Sequence, residues 1–308
     1  MGKIIIKRLL QTIPTLLVVV TLTFCLTRML PGDPAVAILG IEANAEDIEA
    51  MRAEMNLDKS LPEQYALYLG GLVHGDFGYS YSYRQDVLPL ITSRIPNTLT
   101  LTLTALLFAF IIGTSVGIIA ALKQNTIFDY IVMVITLVGV SMPIFWLAVM
   151  LIMLFSLKLG WFPVFGAKQW SSIVLPAISL GLMNMASIAR TTRSSMVETI
   201  RQDYIRTAYA KGLPKRTVIM RHAFRNGLLP TITVIGLEIG QMLGGSVLTE
   251  TVFAWPGIGR LMIQSVNGRD TPTVMGCIIL MTVCFSIVNL LVDLLYGVFD
   301  PRVRTMYH

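Results

Sequence analysis

Two polar features stand out in this largely apolar sequence: the basic segment 190–230, and the carboxylate of Glu238 in the apolar run that follows it. The segment holds nine Lys or Arg residues against two acids, so its net charge is about +7. Such an excess beside apolar runs is typical of a cytoplasmic loop. A carboxylate inside a membrane span costs about 3 kcal/mol unless it faces a cavity or a partner. Glu238 is therefore expected to face the interior, where it either lines a solute path or bonds to a neighbouring helix.

The side chains that usually carry catalysis or bind metals are isolated in this sequence. The histidines are far apart and the cysteines lie in apolar segments, so neither a metal site nor a disulfide framework is expected. These residues are His74, His222, His308, Cys25, Cys277 and Cys284. No GxxxxGK[ST], HExxH or GxSxG motif occurs, so the sequence predicts no ATPase core, no common membrane protease and no cofactor bound by this chain.

The composition indicates a membrane protein. Of the 308 residues, 54% are apolar and only 14% are charged, and the mean hydropathy is +0.69. A soluble domain carries about 25% charged residues. The net charge of +6 does not indicate nucleic-acid binding, because the basic residues stand in loops beside apolar runs and not in a patch with aromatic residues.

Apolar runs predict six membrane spans, and hence an all-α polytopic fold with both termini on one side. The predicted spans are 9–30, 98–122, 130–157, 173–189, 228–247 and 273–298. The first run resembles a secretory signal, but it exceeds the usual apolar length of about 7–15 residues and no small-residue cleavage site follows, so we interpret it as a retained span. Pro143 and Pro176 lie inside spans and predict kinks there.

The basic residues predict the sidedness of these spans. Lys and Arg number fifteen on one side and eight on the other, and the richer side, with both termini and the basic segment, is predicted to be the cytoplasm. The chain then falls into a cytoplasmic N-terminus and first span at 1–30, an extracytoplasmic loop at 31–96, and a core of five spans at 97–308. The outer loop has ten acids against four basic residues, and short helices are expected at 46–55 and from Pro62.

Within the basic segment, the apolar spacing predicts two short helices that meet at a Gly-Leu-Pro corner. The predicted apolar face of the first helix consists of Tyr204, Ile205, Ala208 and Tyr209. Gly212 is expected to end that helix and Pro214 to begin the second. The second helix is expected to present Val218, Ile219 and His222 on one face. A hairpin with a small apolar face and a basic rim suits a groove on a soluble partner, but a purely topogenic role for its charge is an equal alternative.

Other polar and small residues of the spans are candidates for the solute path and for helix packing. The candidate path residues are Glu238 and Gln241 in the fifth span and Asn184 in the fourth. The fifth span also carries a small-xxx-small pattern, formed by Gly236, Gly240 and Gly244. This pattern predicts close helix packing, either within the chain, which is favoured, or at a dimer seam.

Several stretches carry a resemblance to a known family. The stretches YIRTAYAKG at 204–212 and RHAFRNGLLP at 221–230 are similar to the "EAA" coupling loop of binding-protein-dependent ABC importer permeases, in the dipeptide, oligopeptide and nickel branch. The other matching stretches are LPGDP at 30–34, GDFG at 75–78, SMPIFW at 141–146, ETVFAWPGIG at 250–259 and DPR at 300–302. Together they span nearly the whole chain, so the resemblance is specific to this family.

The resemblance implies a type I importer permease of six spans with cytoplasmic termini. Its implied partners are a second, similar permease, an extracytoplasmic solute-binding protein and two cytoplasmic ATPases, which bind the ATP and Mg. It assigns ATPase coupling to Tyr204, Ile205, Arg206, Ala208, Gly212, Leu213, Pro214, His222 and Phe224. Arg206, Thr207 and Ala208 stand at the positions of the family's Glu-Ala-Ala motif, so only the second alanine and Gly212 are retained.

The leading hypothesis is a non-enzymatic permease subunit of an ATP-driven importer in the inner membrane of a prokaryote. Its substrate would be a di- or oligopeptide, glutathione, nickel or a metal chelate. Without a phosphate loop of its own, the chain must draw energy from another subunit or from an ion gradient. An ion-gradient-driven carrier without ATPases is therefore the main alternative, although Glu238 alone supports it weakly. A membrane scaffold without solute flux is a third possibility.

Overall fold

The structure, a computed structural model, describes residues 2–29, 32–40 and 42–299, without the side chains of residues 2–9, 37, 293 and 295–299. Two residues of the LPGDP stretch and the whole closing DPR stretch lie outside the described residues. The described chain is mainly helical, as the sequence predicts. It divides into two compact units. The first unit comprises Leu99–Trp255 and the described residues from Val288 onward, and the second comprises Gly2–Thr98 and Pro256–Ile287.

Fifteen α-helices, two π-helical turns, one 3₁₀ turn and one small hairpin of strands form the secondary structure of the described chain. In order they are α1 (Gly2–Met29), α2 (Pro34–Leu39), α3 (Ala45–Glu54), α4 (Leu61–Val73), β1 (Tyr79–Ser80), β2 (Gln85–Asp86), α5 (Val87–Thr92), α6 (Ile95–Leu122), α7 (Ile127–Ser141), α8 (Ile144–Leu151), α9 (Val174–Ile200), α10 (Asp203–Ala210), α11 (Lys215–Thr217), α12 (Phe224–Gly227), α13 (Leu229–Val252), α14 (Ile258–Asn267) and α15 (Thr271–Phe299). A π-helical turn extends α8 over Ile152–Lys158, a second one separates α11 from α12, and a 3₁₀ turn at Trp170–Ile173 precedes α9.

The candidate membrane spans agree in number with the six predicted, provided that one bent pair of helices counts as a single span. The other five are Leu10–Met29, Val87–Leu122, Trp170–Ile200, Leu229–Val252 and Thr271–Val292. The bent pair is Ile127–Ser141 with Ile144–Lys158, and its two parts meet at 107°. Pro143 stands at the break, and the residue before it, Met142, has an extended ψ of 130°. A proline disfavours the helical conformation in the preceding residue, so the predicted kink is confirmed as a full break.

Two short helices of the second unit, α2 and α4, begin at caps formed by polar side chains. Asp33 accepts a hydrogen bond from the Ala35 N–H at 3.0 Å and so caps α2. Ser60 and Glu63 form a capping box at the start of α4, and the hydrogen bonds from Ser60 hold the pKa of Glu63 below its usual value. Both predicted short helices are therefore present, as α3 and α4, each displaced by one residue.

The core of the second unit lies between α5, α14 and α15. The buried residues of this core are Val87, Leu90, Ile91, Ile258, Leu261 and Cys277. The antiparallel hairpin β1–β2 leads the chain into α5, and the Ser80 hydroxyl donates a hydrogen bond to Asp270. The hairpin was not predicted, because two-residue strands leave no alternating pattern to detect.

In the first unit, α6 and α9 approach closely because small residues line α6. Ala105 and Ala109 are fully buried, and Gly113 and Gly117 continue the same four-residue spacing. A Cβ atom at Gly117 would lie 2.5 Å from the carbonyl oxygen of Ala189, so only glycine fits there. This is the small-xxx-small packing expected between helices in lipid, and it lies on α6, whereas the glycine spacing in the sequence predicts it on α13.

Helix α9 is longer than predicted, and its start is not interrupted. It runs without a break to Ile200, eleven residues past the predicted end of the span at residue 189. Pro176 is the third residue of the helix, where a missing N–H breaks no helical hydrogen bond, so the predicted kink there is wrong. At 1.5 Å per residue, its 27 residues span about 40 Å, against about 30 Å for the hydrocarbon core of a bilayer. The helix therefore leads directly into the basic hairpin.

Candidate functional site

The predicted two-helix hairpin is present, but its second arm is not one regular helix. Helix α10 forms the first arm, and the second passes through α11, the π-helical Val218–Ala223 and α12. Gly212 has a φ of +75°, the left-handed conformation that ends a helix. Pro214 is the cap before the second arm and not its first residue. Nothing lies within 4 Å of a Cβ built on Gly212, so its backbone conformation alone selects glycine.

The apolar face of the hairpin is buried against the chain itself. Ile205 is 1% exposed and Ala208 is 6% exposed, and both join a cluster with Met196 of α9, Val218 and Ile219. The same cluster contains Ala121 and Ala223, with Ile118, Val197, Ile200 and Leu213 at its edge. Of the four residues predicted to share one apolar face, Ile205 and Ala208 are therefore buried in the chain itself, whereas Tyr204 and Tyr209 are exposed. We call these packed residues the hairpin cluster, and it joins the hairpin to the ends of α6 and α9.

The exposed side of the hairpin is basic and aromatic. Tyr204 and Tyr209 are each 42% exposed, and the side chain of Arg206 is 79% exposed. Asn226 donates a hydrogen bond to the Tyr204 hydroxyl at 3.1 Å, which links the two arms. The other exposed residues of this rim are Lys211, Gly212, Pro214, Lys215 and Arg216, whereas Leu213, His222 and Phe224 are partly buried. A rim of this kind can contact a partner through charge and aromatic rings.

The candidate path residues do not share one surface. Glu238 of α13 is partly buried and its carboxylate accepts a hydrogen bond from Ser187 of α9. Asn184 is 3% exposed and donates from Nδ2 to the Leu180 carbonyl at 3.0 Å, while its Oδ1 has no partner. Gln241, three residues further along α13, is exposed. Of the two roles expected for Glu238, the hydrogen bond to a neighbouring helix is the one that the structure shows.

The predicted glycine stripe of α13 is also not one buried face. Gly236 and Gly240 are buried, but Gly244 is exposed and nothing lies within 4 Å of a Cβ built there. Each four-residue step rotates about 40° past a full turn, because 3.6 residues make one turn. The stripe therefore winds from a buried to an exposed side of α13, and a Cβ built on the next residue, Gly245, would lie 3.4 Å from Leu180, an ordinary contact.

Three polar features of the first unit were not predicted from the sequence. Asp129 and Arg193 form an ion pair between α7 and α9, and the buried hydroxyls of Thr192 and Thr231 are hydrogen-bonded at 3.1 Å. Glu250, at the end of α13, is fully buried. Of these residues, only Glu250 lies in a stretch that carries the family resemblance, since it is the first residue of ETVFAWPGIG. Among the described residues, no three His, Cys, Asp or Glu side chains are grouped so as to hold a metal ion.

Fold and site together define a class: a polytopic helical membrane protein that presents a rigidly attached basic hairpin at the end of its spans. Residues 113–305 match the family described as binding-protein-dependent transport system inner membrane component, and residues 1–102 match the N-terminal part of such components. The chain belongs to this family of ABC importer permeases. It is an inner-membrane permease subunit and not an enzyme, and family membership disfavours the ion-gradient-driven carrier.

Two curated relatives are similar over nearly their whole length. The dipeptide transport system permease protein DppB of Alkalihalophilus pseudofirmus is 43% identical, over 97% of this chain and 98% of that protein. The glutathione transport system permease protein GsiC of Escherichia coli strain K12 is 44% identical, again over 97% of this chain and 98% of that protein.

Solved structures with the same fold are also ABC transporters. An inward-facing structure of the MetNI methionine ABC transporter superposes with a TM-score of 0.56 at 19% identity, and covers 69% of this chain and 97% of that chain. An amino acid ABC transporter solved with histidines gives a TM-score of 0.52 at 17% identity, and covers 70% of this chain and 94% of that chain. At these identities the likeness supports the fold alone.

Proposed function

We propose that this chain forms half of the translocation path of an importer for short peptides and that its hairpin, residues 203–227, couples the path to ATP hydrolysis. The proposed partners are a second, similar permease, an extracytoplasmic solute-binding protein, and two cytoplasmic ATPases that carry the ATP and Mg. Dipeptide and glutathione in the names of the two relatives support a peptide substrate. Neither name mentions nickel, so nickel and metal chelates are no longer favoured.

The attachment of the hairpin to α9 is the observation that carries the coupling proposal. Ile205 and Ala208 are buried in the hairpin cluster with Met196, so a push on the hairpin moves the end of α9. Because α9 is one unbroken helix of 27 residues, it transmits that displacement along its length. The buried coupling residues thus hold the hairpin to the spans, and the exposed rim at Arg206, Tyr209 and Lys211 meets the ATPase.

The sidedness proposed here puts the hairpin and both termini in the cytoplasm. The excess of Lys and Arg in the basic segment supports it, because such loops stay on the cytoplasmic side. Loop 31–96 then faces the solute-binding protein. Glu238, Gln241 and Asn184 stay our candidates for the path, with Glu238 oriented by Ser187.

Site-specific crosslinking tests the proposal. In a background with the three native cysteines replaced by serine, a single cysteine at exposed Tyr209 should crosslink to an ATPase subunit in cells that import peptide. A cysteine at Trp170, which is 83% exposed at the opposite end of the α9 region, is the matched control and should capture no ATPase. It should also react with a membrane-impermeant thiol reagent in intact cells, while the cysteine at Tyr209 should not. Import without any crosslink at Tyr209 contradicts the proposal.

A further inference from the structure

A small cavity lies within the second unit, between the end of α1, α4 and the start of α15. Its volume is about 240 Å³. The rings of Phe24, Tyr68, Phe77 and Tyr81 contribute to its wall. Pockets for drug-sized ligands occupy about 300–1,000 Å³, so this cavity suits a molecule nearer to the size of an amino acid.

Three shielded polar atoms of the cavity wall have no hydrogen-bond partner. They are Nε of Arg28, Oε1 of Gln64 and the hydroxyl of Tyr68. Gln64 is only 7% exposed, and its Nε2 donates to the Lys59 carbonyl at 2.8 Å, so the free Oε1 is an acceptor with a set orientation. Burial raises the pKa of Tyr68, which keeps its hydroxyl protonated and able to donate. Because an unpaired buried polar group costs about 1–3 kcal/mol, a ligand that pairs with these three atoms would bind favourably.

The charged groups of the cavity are complementary to a zwitterion. The Arg28 guanidinium lies over the Phe24 ring, 5.5 Å from its centroid. Two exposed acids, Glu54 and Asp76, also line the cavity, and Glu54 accepts a hydrogen bond from Tyr81 at 3.3 Å. The shielded part therefore offers the Arg28 N–H and the Tyr68 O–H as donors to an anion, and the Gln64 Oε1 as an acceptor for a cation. The open part offers carboxylates and ring faces to a cation.

We propose that this cavity binds a small molecule with both a carboxylate and an ammonium group, namely a free amino acid or one of the smallest peptides. The ligand carboxylate accepts hydrogen bonds from Arg28 and Tyr68. The ammonium group donates to Oε1 of Gln64 and faces Glu54 and Asp76. This inference goes beyond the proposed function, because it assigns ligand recognition to the permease chain itself and not only to a separate binding protein.

Equilibrium binding to the full-length permease, purified with its co-purifying subunits in lipid nanodiscs and without the solute-binding protein, tests the proposal. The probes are radiolabelled L-alanine and L-alanyl-L-alanine, and the probe that binds identifies the source of the ligand. We expect saturable binding of at least one. Acetylation of its amino end or amidation of its carboxyl end should each weaken binding about tenfold, because a charged hydrogen bond is lost.

Variants separate the two ends of the ligand. In Arg28→Gln, the amidated analogue should bind as well as the unmodified probe. In Glu54→Gln, the difference in affinity between the acetylated analogue and the unmodified probe should become smaller. Tyr68→Phe deletes a hydroxyl that has no partner, so the fold should be retained while binding weakens about three- to tenfold. Tyr130→Phe, an exposed tyrosine of α7, is the matched control and should bind as the unaltered chain does.

Three results would overturn the proposal. These are no saturable binding of either probe at millimolar concentration, equal affinities for the blocked analogues, or unchanged binding in both Arg28→Gln and Tyr68→Phe. The last result would place the bound probe elsewhere in the chain. None of them affects the crosslinking test at Tyr209, so the failure of this proposal is distinguishable from failure of the coupling function.

Discussion

Arg193 of α9 holds Asp129 of α7 in a two-point ion pair, with Nε 2.5 Å from Oδ1 and Nη2 2.6 Å from Oδ2. The backbone N–H of Asn125 donates to Oδ2 at 3.0 Å, so the carboxylate has three donors. The Asp129 side chain is 1% exposed and that of Arg193 is 23% exposed. Because Arg193 lies one turn before Met196 of the hairpin cluster, the pair ties α7 to the part of α9 that carries the hairpin.

Arg193→Ala should destabilise the chain by about 2 kcal/mol, because it leaves the Asp129 carboxylate buried without its counter-ion. The loss is smaller than the roughly 3–5 kcal/mol of fully buried pairs, since solvent reaches the guanidinium. The measurement is the thermal unfolding midpoint of the purified full-length chain. Arg190→Ala, an exposed arginine on the same helix, is the control and should leave the midpoint nearly unchanged. Equal midpoints for the two variants would show that the pair contributes no stability.

Gly212→Val should reduce transport more than ATP hydrolysis in the reconstituted importer. A β-branched residue opposes the φ of +75° at a cost of about 1–2 kcal/mol, which distorts the corner without any steric clash. Gly212→Asn should retain most of the transport, because asparagine tolerates this conformation. Transport by the valine variant at the normal rate would rule out a role for the corner in coupling.

Gly117→Ala should force α6 and α9 apart and destabilise the chain by about 1–3 kcal/mol, since the new Cβ would lie 2.5 Å from the Ala189 carbonyl oxygen. Gly139→Ala is the matched control on α7, where the new Cβ would lie 3.6 Å from Ala186, an ordinary contact. The control should be neutral or more stable by up to about 1 kcal/mol, because alanine favours a helix over glycine. Thermal unfolding of both variants measures the difference, and a Gly117→Ala chain as stable as the control contradicts this account of the crossing.

Ile205→Ala and Tyr209→Ala should separate attachment of the hairpin from docking. Ile205 is 1% exposed, so its truncation should cost about 2–4 kcal/mol of chain stability. Tyr209 is 42% exposed, and its truncation should leave stability nearly unchanged while it weakens association with the ATPase. Thermal unfolding measures the first effect, and co-purification of the ATPase subunits measures the second. Normal co-purification with Tyr209→Ala would remove this side chain from the docking surface.

The hairpin shows how far sequence reasoning reaches. Gly212 and Pro214 marked the corner, because each has a backbone preference that acts locally. The spacing of Ile205 and Ala208 correctly indicated an apolar face, but no local signal tells whether a partner or the chain itself covers such a face. Here Met196 and Val218, both distant in sequence from Ala121, complete the cluster, and only the folded chain brings them together.

The α9 region shows a second limit. The span was predicted to end at residue 189, because hydropathy shows where a helix leaves the apolar core of the bilayer and not where the helix itself ends. Its helix continues in polar residues to Ile200, where Thr192 and Met196 are still buried. The charge of Arg193 predicts a cytoplasmic loop, but the pairing of Arg193 with Asp129 depends on how α7 packs on α9.

The sequence by itself determined the membrane class, the number of apolar spans, the break at Pro143 and the family, because composition, periodicity and short motifs act or can be recognised locally. Tertiary structure alone decided which faces are buried, which small residues let α6 meet α9, and which polar atoms of the second unit surround a cavity. Those outcomes depend on contacts between residues far apart in the chain, and a linear sequence does not specify them one position at a time.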